Sequence, residues 1–206
     1  MKSTLIVCSL LAVACLGLAA CTSGTKYETA PYQVIRRDGA FEIREYPALT
    51  VATTKRSGDD GSFMRLFRFI DGANEPKEKI SMTTPVFMTG DEMSFVMPEK
   101  HRSVTPKPTS QQVEVKTIPG HRVAVYRYSG RGTRANELEA LGKLNAWLAE
   151  NKIPHGPDSV VAYYDPPWTL PPFRRNEVML PVKQKMCGER IFLSGSDSAT
   201  DDRGPE

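Results

Sequence analysis

Cysteine is scarce in this chain, and what there is cannot build a disulfide framework. The 206 residues hold four, Cys8, Cys15, Cys21 and Cys187, with no CxxC pair and no Cys/His cluster at metal-ligand spacing. Charge of one sign is also lacking. Twenty-seven Lys and Arg against 24 Asp and Glu leave no electrostatic footprint for nucleic acid, which wants basic residues clustered on one face. The longest apolar run, Leu5 to Ala20, falls short of the ~20 residues that a membrane span requires. Enzyme signatures are missing too: no GxSxG elbow, P-loop, HExxH or dinucleotide fingerprint occurs. The three histidines, His101, His121 and His155, fall in or beside predicted loops without a partner at ligand spacing, as solvated histidines do.

What is present begins with an export signal. Lys2 gives a short positive start, and the run from Leu5 to Ala20 is broken only by Ser9. It fits the apolar core of a secretory signal, with small residues before the cut. The stretch ends Leu18-Ala19-Ala20-Cys21, which resembles a bacterial lipobox. That resemblance implies removal of residues 1–20 and lipidation of Cys21, which would hold the chain at a membrane of the cell envelope. Each buried lipid CH₂ contributes ~0.8 kcal/mol, so several acyl chains on one residue anchor firmly. Thr22, rather than Asp, follows the cysteine, which resembles sorting to the outer membrane, on its periplasmic face, where the host has two membranes.

Cleavage before Cys21 leaves 186 residues and removes one charge, Lys2, for a net charge of +2. That length suits one domain with a core of its own. Cys187 is left without an intramolecular partner and reads as a small buried hydrophobe. Residues 21–31 are expected to be the lipidated cysteine and a tether, residues 32–193 the domain. Residues 194–206 (SGSDSATDDRGPE) are expected to form a disordered tail, too polar to offset ordering entropy by burial.

The body of the chain repeats itself. Phe41–Gly58 (FEIREYPALTVATTKRSG) lies over Val113–Gly130 (VEVKTIPGHRVAVYRYSG) at an offset of 72, with six of eighteen columns identical and no gap. Unrelated segments would share about one, at the ~7% frequency of even the commonest residues. Each copy then enters a helix. In the first, Asp59 or Asp60 can cap the N-terminus, Phe63, Leu66, Phe67 and Ile70 form a stripe at i, i+3, i+4, i+7, and Gly72 is a stop. In the second, Thr133 is the cap, Leu138, Leu141, Leu144, Trp147 and Leu148 form the stripe, and Asn151 and Pro154 end it. Strands are expected over 81–89, 93–97, 159–164 and 177–182, with Phe95-Val96-Met97-Pro98 echoing Val178-Met179-Leu180-Pro181. Two β-rich halves with one helix each make an α+β domain, a curved sheet or distorted β-barrel that buries both stripes.

Two features could carry chemistry. Met82, Met88, Met93 and Met97 could suggest a soft-metal site, but they fall in strand-like runs where core filling explains them. The first helix, GSFMRLFRFIDG, sets three Phe and a Met beside two Arg. Its stripe is either core, with Arg65 and Arg68 in solvent, or the wall of a site for a flat apolar ligand. In the second case an Arg at the rim pairs the ligand's carboxylates.

At these residues the chain resembles the SOUL haem-binding family. The first helix runs into Gly72-Ala73-Asn74 and then Lys79-Ile80-Ser81-Met82-Thr83-Thr84-Pro85-Val86. The close is Tyr164-Asp165-Pro166-Pro167 followed by Arg174-Arg175-Asn176-Glu177-Val178, and the opening is Tyr32-Gln33-Val34-Ile35 into Tyr46-Pro47. The resemblance covers about residues 27–193. It implies a distorted β-barrel with two helices and a shallow groove for haem or another tetrapyrrole, held without covalent bonds and without catalysis. Carried across position by position, Phe63, Leu66, Phe67 and Ile70 line that groove, Arg68 lies near a propionate, and Tyr164 stands on the opposite wall. Where relatives offer a basic residue after the YDPP turn, this chain has Trp168-Thr169-Leu170. Three roles remain: a membrane-anchored monomer that captures or buffers haem, which is favoured, an envelope scaffold that kept the fold without the ligand, and an enzyme acting on a tetrapyrrole, for which the sequence holds no motif.

Overall fold

The repeat read from the sequence becomes a repeat of strands. In the computed structural model, whose described residues are 27–56 and 61–183, two strands lead in, β1 (Glu28–Thr29) and β2 (Gln33–Asp38). The first copy is β3 (Phe41–Tyr46), β4 (Leu49–Lys55), α1 (Gly61–Ile70), β5 (Thr83–Thr84), β6 (Val86–Met88) and β7 (Glu92–Val96). The second is β8 (Glu114–Ile118), β9 (His121–Tyr128), α2 (Arg134–Glu150), β10 (Val160–Tyr163) and β11 (Asn176–Pro181). Nine strands make one curled sheet in the order β2-β3-β9-β11-β10-β6-β7-β4-β8. The architecture is α+β, a distorted half-barrel with two helices, as expected.

Setting β2 aside, exchanging every strand for its counterpart in the other copy turns this order into its own reverse. The register keeps the symmetry. Val51 faces Lys116 as Val123 faces Arg44, and Ala52 faces Phe95 as Ala124 faces Leu180. The last pair corrects the echo between Phe95 and Val178: the structural counterpart of Phe95 is Leu180, two residues on. An even shift preserves the face of the sheet, so the composition still matched.

The stretch expected as one strand over 81–89 is split. Pro85 has no N–H to give a ladder, so β5 pairs in parallel with β1 in a separate two-stranded sheet, while β6 joins the main one. The fold therefore begins inside the stretch expected to be tether. Ala30 donates its N–H to the Thr84 carbonyl at 2.7 Å and is buried on the inner face of the sheet. Its signal was invisible because a two-residue strand has no periodicity to read. The expected signal peptide and tail, with Cys21, Asp59, Asp60 and Cys187, lie outside the described residues.

The inner face packs Tyr46, Leu49, Val51, Phe87, Val123, Val125 and Met179 around Ala30. The outer face carries the helices, α1 over β4 and β7 and α2 over β9 and β11. Gly72, at φ +116°, ends α1, with the Ala73 N–H returning to the Arg68 carbonyl at 2.9 Å, a helix stop that favours glycine. Thr133 caps α2 by accepting from the Asn136 N–H at 3.3 Å, and Asn151 closes it. The α2 stripe is shifted from expectation. Leu144, Trp147 and Leu148 are buried with Ala140, Leu141 is half-buried, and Leu138 is exposed beyond the edge of the sheet contact. Among the described residues no helix is long and apolar enough to cross a membrane.

Candidate functional site

Because each helix rests mainly on its own copy's outer strands, β6 and β10 run between them. Side chains directly across a ladder share a face, so the registers give two outward rows. One is Phe95, Val86, Tyr163, Asn176, Tyr128, and the other is Met93, Met88, Val161, Val178, Tyr126. The ends of each row lie under the helices. Val86, Met88, Val161 and Tyr163 are half-buried and floor a groove between α1 and α2.

The wall on the α1 side is aromatic. Phe63 and Phe67, 37% and 40% exposed, stack at 6.1 Å and 15°, and Phe63 meets Phe95 edge-on at 5.3 Å. Met64 is exposed beside them, a residue the stripe did not include. The two arginines part company. Arg65 is tied down, donating from Nε to Thr54 Oγ1 (3.0 Å) and from Nη2 to the Lys55 carbonyl (2.6 Å). Arg68 is exposed and forms no ion pair among the described residues.

Three expected lining residues lie elsewhere. Leu66 and Ile70 are core, packed with Phe69, Ile80, Phe95 and Met97, because the helix is rotated so that positions 62, 66, 69 and 70 face the sheet. Tyr164 is buried on the inner face, and strand alternation places its neighbour Tyr163 on the groove side. Tyr163 donates its hydroxyl to Glu137 Oε1 at 2.5 Å. Burial, then the Glu137 carboxylate, pushes its phenol far above the ordinary value. Gly132 is required here, since a Cβ at that position would sit 2.5 Å from the Tyr163 ring. The buried Tyr128 hydroxyl, on the same row, has no hydrogen-bond partner among the described residues and is pushed up to about 12 by burial.

The inner face holds a second polar assembly that the sequence did not announce. Arg44 donates from Nη1 and Nη2 to the two oxygens of Glu177 at 2.7 and 2.9 Å, and from Nε to Glu42 at 2.6 Å. Arg175 donates to Glu177 Oε1 from Nε and Nη2, and the Tyr164 hydroxyl donates to Oε2 at 2.9 Å. Tyr32 covers the Arg44 guanidinium at 4.2 Å, and Tyr164 covers that of Arg175 at 3.8 Å. Burial alone would push the Glu177 carboxyl up. The Arg44 hydrogen bonds and the charges of Arg44 and Arg175 outweigh it and hold the carboxyl below the ordinary range. By the repeat, Lys116 and Glu92 are the counterparts of Arg44 and Glu177. They also pair at 2.7 Å, but at the half-exposed end of the face.

The histidines are outside the groove. His101 is buried, not solvated, with Nε2 3.2 Å from Glu78 Oε1. His121 stacks on Tyr46, and His155 turns back to the Gly156 carbonyl. None belongs to α1, β6 or β10. Among the described residues no three His, Cys, Asp or Glu side chains gather as a metal cluster.

Comparison with known proteins gives a consistent set of likenesses. A family model described as SOUL heme-binding protein matches residues 27–181. Heme-binding protein 1 of Xenopus tropicalis is 26% identical over 161 residues, 69% of this chain and 84% of that protein. Heme-binding protein 2 of Mus musculus is 28% identical over 174 residues, 76% of this chain and 84% of that protein. Among solved structures, the C-terminal domain of EcmrR superposes with a TM-score of 0.51 at 16% identity, covering 74% of this chain and 98% of the domain. A hydrolase from Listeria innocua gives 0.52 at 10% identity, with 72% and 94% covered. At such identities these two likenesses concern the fold alone.

Proposed function

The chain belongs to the SOUL heme-binding protein family, and from that premise we propose that it binds haem or a related tetrapyrrole without transforming it, from a lipid anchor on Cys21 in the cell envelope. The observation that carries this reading is the groove beside α1, where the same helix exposes the Phe63 and Phe67 rings and Arg68, which forms no ion pair among the described residues, over a floor of Val86, Met88, Val161 and Tyr163. Haem brings a flat apolar macrocycle, an iron and two carboxylates. Phe63 and Phe67 offer the apolar face, and Arg68 pairs a carboxylate at the rim. The absence of a histidine from α1, β6 and β10 favours binding by the macrocycle's face over axial imidazole. Capture or buffering follows from such a site, because an open groove with one ion pair releases what it takes up.

A haemin titration of the processed protein tests the reading. A saturable Soret shift is expected with about micromolar affinity, since ordering costs offset much of the area term. Phe67→Ala removes about 50 Å² of apolar contact, ~1.3 kcal/mol, and weakens binding about tenfold. Arg68→Glu weakens it in a salt-sensitive way, by more than the ~1 kcal/mol of an exposed pair because the charge is reversed. Replacing all three histidines by Ala leaves most of the binding. Loss of the shift in the triple-histidine variant, with Phe67→Ala and Arg68→Glu unaffected, would overturn the groove. No saturable shift in the parent protein would make it an envelope scaffold.

The anchor is tested separately. Cys21→Ser is expected to leave an uncleaved or wrongly cut precursor and to abolish partitioning into a detergent phase. A Cys21→Ser protein that is processed and membrane-bound like the parent would end the lipoprotein reading. Sorting to the outer membrane, favoured by Thr22, is read by fractionating the two membranes.

A further inference from the structure

The most exposed large apolar side chains of the described residues include three on one loop. Trp168, Leu170 and Phe173 are 79%, 64% and 76% exposed, and they punctuate the connection between β10 and β11, DPPWTLPPFR. Nothing in the proposed groove uses them. An apolar tip this open is ordinarily a hazard, yet here it is stiffly built. Pro166, Pro167, Pro171 and Pro172 fix the backbone and remove four N–H donors. The carbonyls turn inward. Pro166 accepts from Thr169, Leu170 from Phe173, and Pro171 from both Gly130 and Arg174. The Arg174 guanidinium folds back onto the Thr169 and Pro167 carbonyls, and Asp165 is spent on the Arg175 N–H at 2.6 Å. The result is a rigid knob that presents side chains outward and keeps much of its backbone polarity occupied.

The rim of the knob is cationic. Arg127 lines the same surface hollow as Phe173, and Arg131 follows Gly130, whose N–H is bonded to the loop. Both are exposed, and neither forms an ion pair among the described residues. A Trp-Leu-Phe tip with free arginines at its shoulders matches an anionic bilayer surface. Trp favours the interface, Leu and Phe favour the acyl boundary, and guanidinium groups meet lipid phosphate. The base of the loop is also joined to the N-terminal segment. Arg175 donates to the Tyr32 hydroxyl at 3.1 Å, and Cys21 stands only six residues before Tyr27, a span of at most about 20 Å.

We propose that the loop Asp165–Arg174 is a membrane-docking element that inserts Trp168, Leu170 and Phe173 into the headgroup region of an anionic bilayer, with Arg127 and Arg131 on the lipid phosphates. It orients the domain on the membrane and does so whether or not Cys21 carries lipid; acylation only raises the encounter frequency.

The chain's own tryptophans supply the test. There are two, and Trp147 is buried on the sheet-facing side of α2 while Trp168 is open to solvent, so Trp168→Phe subtracts the loop's signal. Processed protein is mixed with, or reconstituted into, phosphatidylcholine vesicles with and without phosphatidylglycerol, carrying bromine on the acyl chains. Mass spectrometry of the same sample reads acylation of Cys21, so failure of the anchor and failure of the loop are told apart. With phosphatidylglycerol, Trp168 emission is expected to move to shorter wavelength and to be quenched by bromine. Arg127→Gln with Arg131→Gln should cut that quenching several-fold, as should high salt or omission of the anionic lipid. Both arginines are exposed and form no ion pair among the described residues, and Gln sets no like charge opposite Glu177, which faces position 127 across the ladder, so melting temperature should hold. Trp168 emission that stays solvent-like on anionic vesicles overturns the proposal. So does a shift that follows protein concentration without lipid, which would give the loop to a second copy of the chain.

Discussion

Glu177→Gln is expected to lower folding stability by about 3–5 kcal/mol, the cost of breaking a buried ion pair from one side. The amide keeps the shape but removes the charge that two guanidiniums share. Arg44 is fully enclosed, and Arg175 is mostly so, so neither recovers hydration when Glu177 is neutralised. Replacing Arg44 and Glu177 together by Met and Leu should remain costly, because it leaves the Arg175 guanidinium and the Tyr164 hydroxyl without the carboxylate they share. The pH dependence has a definite sign. The folded Glu177 carboxyl lies below its ordinary value of 4.5. Its contribution is therefore complete above about pH 4.5 and is lost as pH falls through the lower, folded value. Denaturant melts from pH 7 downward should show this acid limb in the parent and a reduced one in Glu177→Gln. A parent and variant that lose stability in parallel across that window would mean that Glu177 is not the group responsible. The half-exposed counterpart, Glu92 with Lys116, should contribute little: Glu92→Gln belongs within about 1 kcal/mol of the parent.

Phe69→Ala and Phe67→Ala, two residues apart on α1, should behave as opposites. Phe69 is buried against Ile80, Phe95 and Met97, and its loss leaves a cavity that costs about 3–5 kcal/mol. Phe67 is exposed, and its loss should cost under about 1 kcal/mol in stability while weakening haemin binding. Paired thermal melts and haemin titrations check both. A destabilised Phe67→Ala with unchanged Phe69→Ala would return the helix to the orientation read from its stripe.

That contrast marks how far the sequence could be read. The repeat was legible because both copies kept Pro47/Pro119 and Ser57-Gly58/Ser129-Gly130 at a constant offset, and the strands took the symmetry literally. Thr133 and Gly72 were legible because caps are local chemistry. The rotation of α1 was not, since Phe63 and Phe67 share one side of a short helix and Phe69 lies on another, so two apolar faces compete. Nor was the choice between Tyr163 and Tyr164. Val160 to Tyr164 is apolar throughout, as in a strand covered on both faces, so alternation carries no signal. The Arg44–Glu177 pair joins residues 133 apart in sequence, beyond any local pattern. Arg44 was visible only as the counterpart of Lys116.

The palindromic strand order has a consequence for how the chain comes apart. The first strand of each copy does not lie beside the second strand of its own copy: β3 is hydrogen-bonded to β9, and β8 to β4. Each half has lent a strand to the other, as two hands do when the fingers interlock. Neither half then has a complete sheet to fold alone, and the pairing that completes it closes a long loop, which is slow. The two halves therefore open together in a single cooperative transition, and a half released by itself has one natural recourse, to borrow the missing strand from another molecule.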